Sequence, residues 1–266
     1  MSKNTKNQYL VAVDIGNTAV HLALLQGLRT VAEHRISSRG TARQMKKEIT
    51  AVSQGWVRKA PGVSGVMICS VVPPLTGRVG SVCRTAFGCK PVIVGKDVIP
   101  PIQNRYRVPG QVGQDRLVGA FAAKCLYGPP LIVIDLGTAT TFDIVSGRGD
   151  YLGGVIVPGI GLSAETLSCR TALLPWVRVR KPQGLIARDT ENSIISGLYY
   201  GYGEMIKGLV REMKKEIPSA PRVILTGGYA PLYYPYVKKN VSCLDETLIF
   251  KGMALMWSTG APSSSP

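Results

Sequence analysis

The sequence predicts an α/β protein built from two related halves, in each of which helices cover a mixed sheet. Strand-like apolar runs alternate along the 266 residues with longer segments rich in helix-forming residues, a pattern that favours an α/β fold. One unusual segment also occurs twice, as LVAVDIGNTAVHLALL at residues 10–25 and as LIVIDLGTATTFDIV at residues 131–145. We therefore expect a duplicated fold with a cleft between the two halves.

Individual elements follow from local patterns. Helices are expected at residues 43–59 and 195–217, where helix-forming residues dominate; Pro218 ends the second. Strands are expected where short apolar runs are bounded by polar residues or glycine, at residues 9–14, 20–25, 65–72, 91–94, 131–135 and 141–145.

The boundary between the halves is predicted at the Gly-Pro-Pro sequence of residues 128–130, which precedes the second copy of the repeated segment. The predicted halves are therefore residues 9–127 and residues 128–257. The polar ends of the chain are predicted to be disordered, and they comprise residues 1–8 and 258–266.

The composition limits the possible partners. The 32 Lys and Arg residues outnumber 16 Asp and Glu, which gives a formal net charge of +16 and a general attraction for anions. The basic residues are spread along the chain without a nucleic-acid-binding motif, so we expect anionic substrates rather than nucleic acid. No run approaches the ~20 apolar residues that span a bilayer, and the polar N-terminus does not resemble a signal peptide. We predict a cytoplasmic protein that does not bind membranes.

Several common site types are excluded by their motifs. The six cysteines are scattered without metal-binding spacing, and the chain has no P-loop. The segment GIGLSA at residues 159–164 matches a loose dinucleotide pattern, but basic residues follow it where an acidic ribose ligand is expected. Two histidines and no G-x-S-x-G sequence also argue against a Ser-His-Asp hydrolase.

Each copy of the repeated segment places an aspartate, Asp14 or Asp135, at the end of a strand and a glycine turn directly after it. Such a turn presents N–H groups to an anion, and an aspartate at this position can hold a metal ion that bridges phosphate oxygens. An ordinary hairpin turn is the plain alternative. Because the pattern occurs twice, we interpret it as a pair of phosphate-binding turns with further donors at Asn17, Thr18, Thr138 and Thr140.

Two other segments suggest contacts to substrates. RVILTGGYA, at residues 222–230, is a strand that enters a turn at Gly227 and Gly228, where the missing Cβ atoms permit close approach of a base or ribose. In the segment at residues 106–123, Asp115 and Arg116 lie where a glycine-containing loop becomes an Ala-rich helix. Asp115 is a candidate base for phosphoryl transfer, although an aspartate in a first helical turn is also an ordinary dipole partner.

Taken together, these motifs resemble those of the type III pantothenate kinases, members of the acetate kinase, sugar kinase, Hsp70 and actin superfamily. The resemblance extends from about residue 9 to about residue 257 and implies duplicated ribonuclease H-like (actin-like ATPase) domains. Its motifs are, in order, DIGNT, a tyrosine followed after six residues by GQDR, IDLGTATTFD, YLGGVIVPG, DTENSIISGLYYG and LTGGYA.

The resemblance implies ATP-dependent phosphorylation of pantothenate, the first step of coenzyme A biosynthesis, by a homodimer. A related alternative is an accessory transcription factor of the Bvg accessory factor type. Such a protein is expected to lose catalytic acids, whereas Asp14, Asp115 and Asp135 are all present. A different small-molecule kinase of the superfamily is disfavoured by the segment at residues 106–116, which sets the acceptor in this family.

The resemblance also implies roles for single residues. Asp115 corresponds to the proton acceptor, Asp14 to a Mg²⁺ ligand and Asp135 to a ligand of K⁺ or NH₄⁺. The implied pantothenate contacts are Tyr106, Gly113, Gln114, Asp115, Arg116 and Thr190. The expected ATP contacts, which include the Gly-Gly turn, are Asp14, Ile15, Gly16, Asn17, Thr18, Ala19, Val20, His21, Thr138, Gly227 and Gly228, although His21 could equally serve in packing.

Overall fold

Two five-stranded mixed sheets organise the chain in the computed structural model, which describes residues 8–60 and 62–260. The α/β class with mixed sheets is thereby confirmed. The predicted disorder at the chain ends concerns residues that lie almost entirely outside the described ranges. No helix among the described residues is long and apolar enough to cross a membrane.

The two sheets belong to two compact units. Unit 1 contains the described residues up to Ile102, the segment Val108–Ala122 and the described residues from Thr247 onward. Unit 2 contains Gln103–Arg107 and Ala123–Glu246. The units therefore interleave along the chain, which differs from the contiguous ranges 9–127 and 128–257 expected from the sequence.

Unit 1 contains a sheet with the strand order β3-β2-β1-β4-β5. The first three strands form antiparallel pairs, and β4 and β5 continue the sheet in parallel. The strands are β1 (Tyr9–Ile15), β2 (Ala19–Gln26), β3 (Arg29–Ser37), β4 (Val63–Ser70) and β5 (Val92–Ile93). The helices that lie in or begin in this unit are α1 (Ala42–Lys59), α2 (Pro73–Phe87), α3 (Gln114–Tyr127) and α7 (Leu248–Ser258).

Local sequence explains where the first two helices begin and end. The Thr41 side chain accepts a hydrogen bond from the Gln44 N–H (3.2 Å), and the Gln44 side chain accepts one from the Thr41 N–H (2.9 Å). This reciprocal capping starts α1. Helix α2 starts with Pro73 and ends at Gly88, whose φ of 70° terminates the helix in the left-handed region. Apolar side chains of both helices pack on the sheet to form the unit 1 core.

The last helix, α7, packs in unit 1 although the sequence placed it in the second half. Gly252 of α7 lies so close to α3 that an added Cβ would be 2.7 Å from a Val118 methyl group. In β4, the bare backbone of Gly65 accommodates the Trp257 ring, where a Cβ would clash. Contacts between positions so distant in sequence leave no local pattern, so a contiguous boundary could not anticipate them.

Unit 2 repeats the same arrangement, with the strand order β10-β9-β6-β7-β8. An antiparallel run of three strands is again extended by two parallel strands, which is the predicted duplication. The strands are β6 (Leu131–Leu136), β7 (Ala139–Val145), β8 (Tyr151–Pro158), β9 (Arg222–Thr226) and β10 (Cys243–Leu244). The helices are α4 (Ile160–Arg170), α5 (Thr190–Glu216) and α6 (Ala230–Val237).

The structure confirms the predicted strands and both predicted helices, with shifted ends. Helix α5 begins five residues earlier than expected, at Thr190, because Asp189 Oδ1 accepts the Asn192 N–H (2.8 Å) and caps it. Strands β3 and β8 and the two-residue β10 were not expected from the sequence. Side chains along β3 are mostly exposed or half-buried, and β8 contains two successive glycines, so both edge strands have a weak apolar signal.

Candidate active site

The first repeated segment forms a tight hairpin turn in unit 1. Asp14 pairs with His21 across β1 and β2, and the Gly16 N–H donates to the Ala19 carbonyl (3.0 Å). Ser38 holds the turn from outside, because its Oγ donates to the Gly16 carbonyl (2.7 Å) and its N–H to the Thr18 carbonyl (3.1 Å). The result is a fixed turn with exposed residues at its tip, Asn17 and Thr18.

Asp115 occupies the first turn of α3, next to a glycine that the geometry requires. Its Oδ1 accepts the N–H of Arg116 (2.8 Å), and a Cβ on Gly113 would clash with that same oxygen. Burial raises the pKa of the Asp115 carboxyl, while hydrogen bonding to the Arg116 N–H and the Arg116 charge act in the opposite direction. A carboxylate with a raised pKa is a better proton acceptor than an exposed aspartate.

Asp14 and Asp115 share a neighbour, the buried side chain of Cys69. Cys69 lies on β4 in register with Asp14, and its side chain is fully buried. Burial raises the pKa of the thiol well above its usual value, and the charges of Asp14 and Asp115 raise it further. Two carboxylates 101 positions apart in the chain therefore act on one neutral thiol. The sequence indicated only that this cysteine lacks metal-binding spacing.

Gln114 is positioned by a second glycine that the sequence analysis did not single out. Gly95 has a φ of 84°, and a Cβ there would lie 2.7 Å from Cδ of Gln114. Within the described residues, the buried Oε1 of Gln114 has no hydrogen-bond partner. This oxygen is therefore an acceptor whose own protein environment does not satisfy it.

His21 is held by packing and by one acidic neighbour. Its Nε2 lies 3.1 Å from Glu33 Oε2 on β3, and its ring meets Phe250 of α7 edge to face at 5.0 Å. Burial lowers the pKa of His21, and Glu33 partly offsets this effect. These contacts describe a packing role that the sequence had left open, while its contact with ATP stays a prediction.

The second repeated segment and the Gly-Gly turn form one structure in unit 2. The Gly137 N–H donates to the Ala139 carbonyl (3.1 Å), which closes a hairpin turn one residue shorter than the first. Gly227, with a φ of 95°, lies against Asp135 Oδ1, and a Cβ there would be 2.6 Å from the Leu136 nitrogen. Gly137 faces the same oxygen, since its Cβ would lie 3.2 Å away. The Asp135 carboxylate is thus bordered by the backbone of two glycines, Gly137 and Gly227, which have no Cβ.

The tip of this hairpin is also closely packed. Gly159, which precedes α4, lies against the carbonyl groups of Gly137 and Thr138, where a Cβ would clash. The Thr138 side chain is exposed, as is Gly228 in the neighbouring turn. The hairpin, the Gly-Gly turn and the start of α4 therefore share a tightly packed backbone junction, which sequence analysis could not derive from Gly159 alone.

The two other predicted substrate contacts lie on different elements of unit 2. The Tyr106 N–H donates to Asn104 Oδ1 (3.0 Å), and the Tyr106 ring lies beside Gly153 of β8. Thr190 is exposed at the start of α5, directly after the capping Asp189. Hydrogen bonds from Asn192 lower the pKa of Asp189, which keeps this cap ionised.

Comparison with solved structures identifies the fold class. The chain is similar to the ethanolamine utilization protein EutJ from Carboxydothermus hydrogenoformans, with a TM-score of 0.58 and 17% identity over 93% of this chain and 89% of that one. It is also similar to a protein assigned as a 2-dehydro-3-deoxygalactonokinase from Sinorhizobium meliloti, with a TM-score of 0.53 and 15% identity over 94% and 99%. The chain therefore has the fold shared by actin-like ATPases and sugar kinases.

Sequence comparison identifies the family within that class. The family model for type III pantothenate kinase matches residues 10–212. A type III pantothenate kinase of Geobacter sulfurreducens is 38% identical over 251 residues, which cover 93% of this chain and 98% of that protein. The chain therefore belongs to the type III pantothenate kinase family, which confirms the resemblance of its motifs.

The packing of Gly113 against Asp115 can be tested by unfolding. We expect Gly113→Ala to lower the free energy of unfolding by about 1 kcal/mol or more, because the added methyl group overlaps a held carboxylate oxygen. Gly119→Ala is the control: Gly119 lies in α3, which Gly113 directly precedes, and a Cβ there meets nothing within 4 Å. This substitution should raise stability by about 0.5–1 kcal/mol. If urea denaturation gave the same change in the free energy of unfolding for both variants, the packing of Gly113 against Asp115 would be contradicted.

Proposed function

We propose that this chain is an ATP-dependent kinase that phosphorylates pantothenate, the first step of coenzyme A biosynthesis. Its membership in the type III pantothenate kinase family supports this activity. The structural observation that carries the proposal is that Asp14 lies in register with the buried Cys69 and that the charges of both Asp14 and Asp115 reach this thiol. One carboxylate precedes a phosphate-type turn, and the other is a desolvated base.

Asp115 acts as the proton acceptor in this proposal. The pantothenate hydroxyl attacks the γ-phosphorus of ATP, and Asp115 orients that hydroxyl and removes its proton as the new bond forms. Burial suits the carboxylate to this task, because a raised pKa brings its basicity nearer to neutral pH. The N–H of Arg116 fixes one carboxylate oxygen, which leaves Oδ2 as the proposed acceptor.

Asp14 has the donor chemistry for Mg²⁺. Its carboxylate is half-buried at the end of β1, beside the exposed tip of the first hairpin. No group of three or more His, Cys, Asp or Glu in the described part of the chain could hold a metal ion by itself. Mg²⁺ fits this arrangement, because it is commonly bound by one or two carboxylates together with substrate phosphates. When bound, it would neutralise charge on the phosphate oxygens.

Asp135 is the proposed ligand of a monovalent cation, K⁺ or NH₄⁺. Its Oδ1 is bordered by the bare backbones of Gly137 and Gly227, and Gly159 packs against two carbonyl groups of the same hairpin. Carboxylate and carbonyl oxygens are suitable ligands for such a cation. The exposed Thr138 and the turn of Gly227 and Gly228 are the proposed ATP contacts of unit 2.

Gln114 and Arg116 are the proposed pantothenate contacts of unit 1. The unsatisfied Oε1 of Gln114 can accept a hydrogen bond from a substrate amide or hydroxyl group. Arg116 supplies a cation that can pair with the carboxylate of pantothenate. Tyr106 and Thr190 are further proposed contacts, supported by the family motifs in which they lie.

Exposed apolar side chains in unit 2 support the proposed homodimer. Twelve large hydrophobic residues are exposed in the described ranges. Seven of these lie between residues 152 and 186 of unit 2. We propose that they form one exposed apolar patch, the kind of surface that marks an interaction site. We define the dimer surface by Leu152, Ile156, Leu162, Leu173, Trp176, Leu185 and Ile186.

The proposed location is the cytoplasm, where ATP is available. All six cysteines lie in the described ranges and none forms a disulfide, as expected in a reducing compartment. The alternative of a binding-only accessory factor has no structural observation in its favour. Asp14, Asp115 and Asp135, the acids that such a protein is expected to lose, are all present.

Replacement of the base tests the catalytic proposal. We expect Asp115→Asn to lower kcat for pantothenate-dependent ADP release by about 10²–10⁴, the usual contribution of a positioned base. Since the raised pKa means that ionised Asp115 destabilises the fold at neutral pH, the variant should be no less stable than the parent. Asp97→Asn is the control, because an amide oxygen can still accept the Ile93 N–H.

The pH dependence provides an independent check of the same role. Only ionised Asp115 can accept a proton, so kcat/KM should fall as the pH is lowered through its raised pKa. The midpoint of this acid limb should lie above the usual aspartate value of about 3.9. Full activity of Asp115→Asn would refute the assignment.

The cation proposal predicts a requirement for K⁺ or NH₄⁺ that Na⁺ does not meet. Asp135→Asn should raise the K⁺ concentration for half-maximal activity about tenfold or more, a change of about 1.4 kcal/mol in cation affinity. Steady-state assays across K⁺ concentrations, with Asp97→Asn as the control, measure this shift. An unchanged K⁺ response in Asp135→Asn would remove Asp135 from the site.

The proposed dimer surface can be tested with a single charge. Ile186 is 90% exposed, so Ile186→Asp should leave the fold stable while weakening dimerisation about tenfold or more. Analytical ultracentrifugation across protein concentrations measures the change. Ile99→Asp, at an exposed position of unit 1, should leave the dimer intact; the same dissociation in both variants would argue against this surface.

A further inference from the structure

A groove between α1 and α2 has no part in the proposed reaction. It lies wholly in unit 1 and has a volume of about 520 Å³, within the range of small-molecule sites. We propose that this groove binds a small amphipathic anion: a short apolar chain that ends in a phosphate or carboxylate group. The composition of the groove's floor, its rim and the surrounding helices supports this ligand class.

The floor of the groove is apolar. Met45 of α1 is buried in the unit 1 core, and Leu75 and Val82 of α2 pack against that core while still lining the groove. Gly77 also lines the groove, and a Cβ there would meet nothing within 4 Å. A short alkyl chain on this floor would therefore remove apolar surface from water on both sides.

The rim of the groove is cationic. Lys46 of α1 and Arg78 of α2 line it from opposite helices, and both are exposed. Neither forms an ion pair with any residue that the structure describes. Thr50 and Ser81 add hydroxyl groups beside these cations. Two cations with hydroxyl donors above an apolar floor are complementary to a single anionic head group.

The surrounding helices strengthen the positive potential. Besides Lys46 and Arg78, the sequences of α1 and α2 contain several basic residues but only one acid, Glu48, which lies 3.6 Å from His34. A positive electrostatic potential raises the local concentration of anions. The groove lining contains no aromatic side chain on which bases could stack, so a compact amphipathic anion fits better than single-stranded nucleic acid.

The groove is connected through the chain to the first phosphate-type hairpin. Gly40 lines the groove and donates its N–H to the Ser37 carbonyl (3.3 Å). Two residues earlier, Ser38 holds the carbonyl groups of Gly16 and Thr18. A bound ligand would therefore contact the segment that fixes this turn. Any effect on ATP affinity rests on the proposed kinase function, whereas binding itself does not.

Titration calorimetry without ATP or pantothenate tests the site, with hexyl phosphate as the probe. We expect saturable binding of one hexyl phosphate per chain. Inorganic phosphate lacks the apolar chain and hexanol lacks the charge, so each should bind at least tenfold more weakly. Lack of saturation by hexyl phosphate, or equally tight binding of inorganic phosphate, would overturn the proposal.

Two matched double variants distinguish binding at the rim cations from a general effect of net charge. Lys46→Gln with Arg78→Gln should weaken hexyl phosphate binding at least tenfold. Lys47→Gln with Arg84→Gln removes the same charge from the same two helices outside the groove and should change binding less than twofold. Equal weakening in both pairs would show a nonspecific effect of net charge and reject the site.

A variant that fills the groove tests its apolar floor. Gly77→Leu places a side chain in open space within a helix, so the fold should remain intact while hexyl phosphate binding falls at least tenfold. Gly55→Leu, in α1 outside the lining and equally open, should bind normally. If Gly77→Leu keeps the melting temperature of the parent and still binds hexyl phosphate normally, the ligand binds elsewhere. Because these measurements need no turnover, they are independent of the kinase proposal.

Discussion

Charged carboxylates at the ends of buried strands impose the main constraint on this structure. Asp14 follows four buried residues of β1, and Asp135 follows four buried residues of β6. Removing a carboxylate from water is costly unless its surroundings compensate. In unit 2, the bare backbones of Gly137 and Gly227 leave space beside the Asp135 carboxylate. In unit 1, burial keeps the thiol of Cys69, which lies in register with Asp14, neutral.

The duplication gives both units the same type of strand order and a glycine turn directly after an aspartate, yet each turn is secured differently. Ser38 holds the first turn through two carbonyl groups. In unit 2, the Gly227 turn lies against Asp135, and Gly159 closes on the hairpin tip. The two turns therefore have different surroundings, because the contacts that support each turn come from outside the repeated segment.

The proposed role of Asp115 as a base works against the stability of the fold. Its burial disfavours the ionised form, so this residue destabilises the native state at neutral pH while gaining basicity. Gly113 and the Arg116 N–H hold the carboxylate in place despite that cost. Such local conflicts between folding and activity are typical of catalytic positions.

The sequence by itself determined the α/β class, the repeated turns, most strands, the two longest helices and the family, because these depend on local periodicity and short motifs. It also indicated Asp14, Asp115 and Asp135 as candidate site residues. Only the tertiary structure showed that Cys69 lies near both Asp14 and Asp115, that Gly95 accommodates Gln114, and that α7 packs in unit 1. Those features arise from packing between positions far apart in the chain, where no local pattern records which residues will meet.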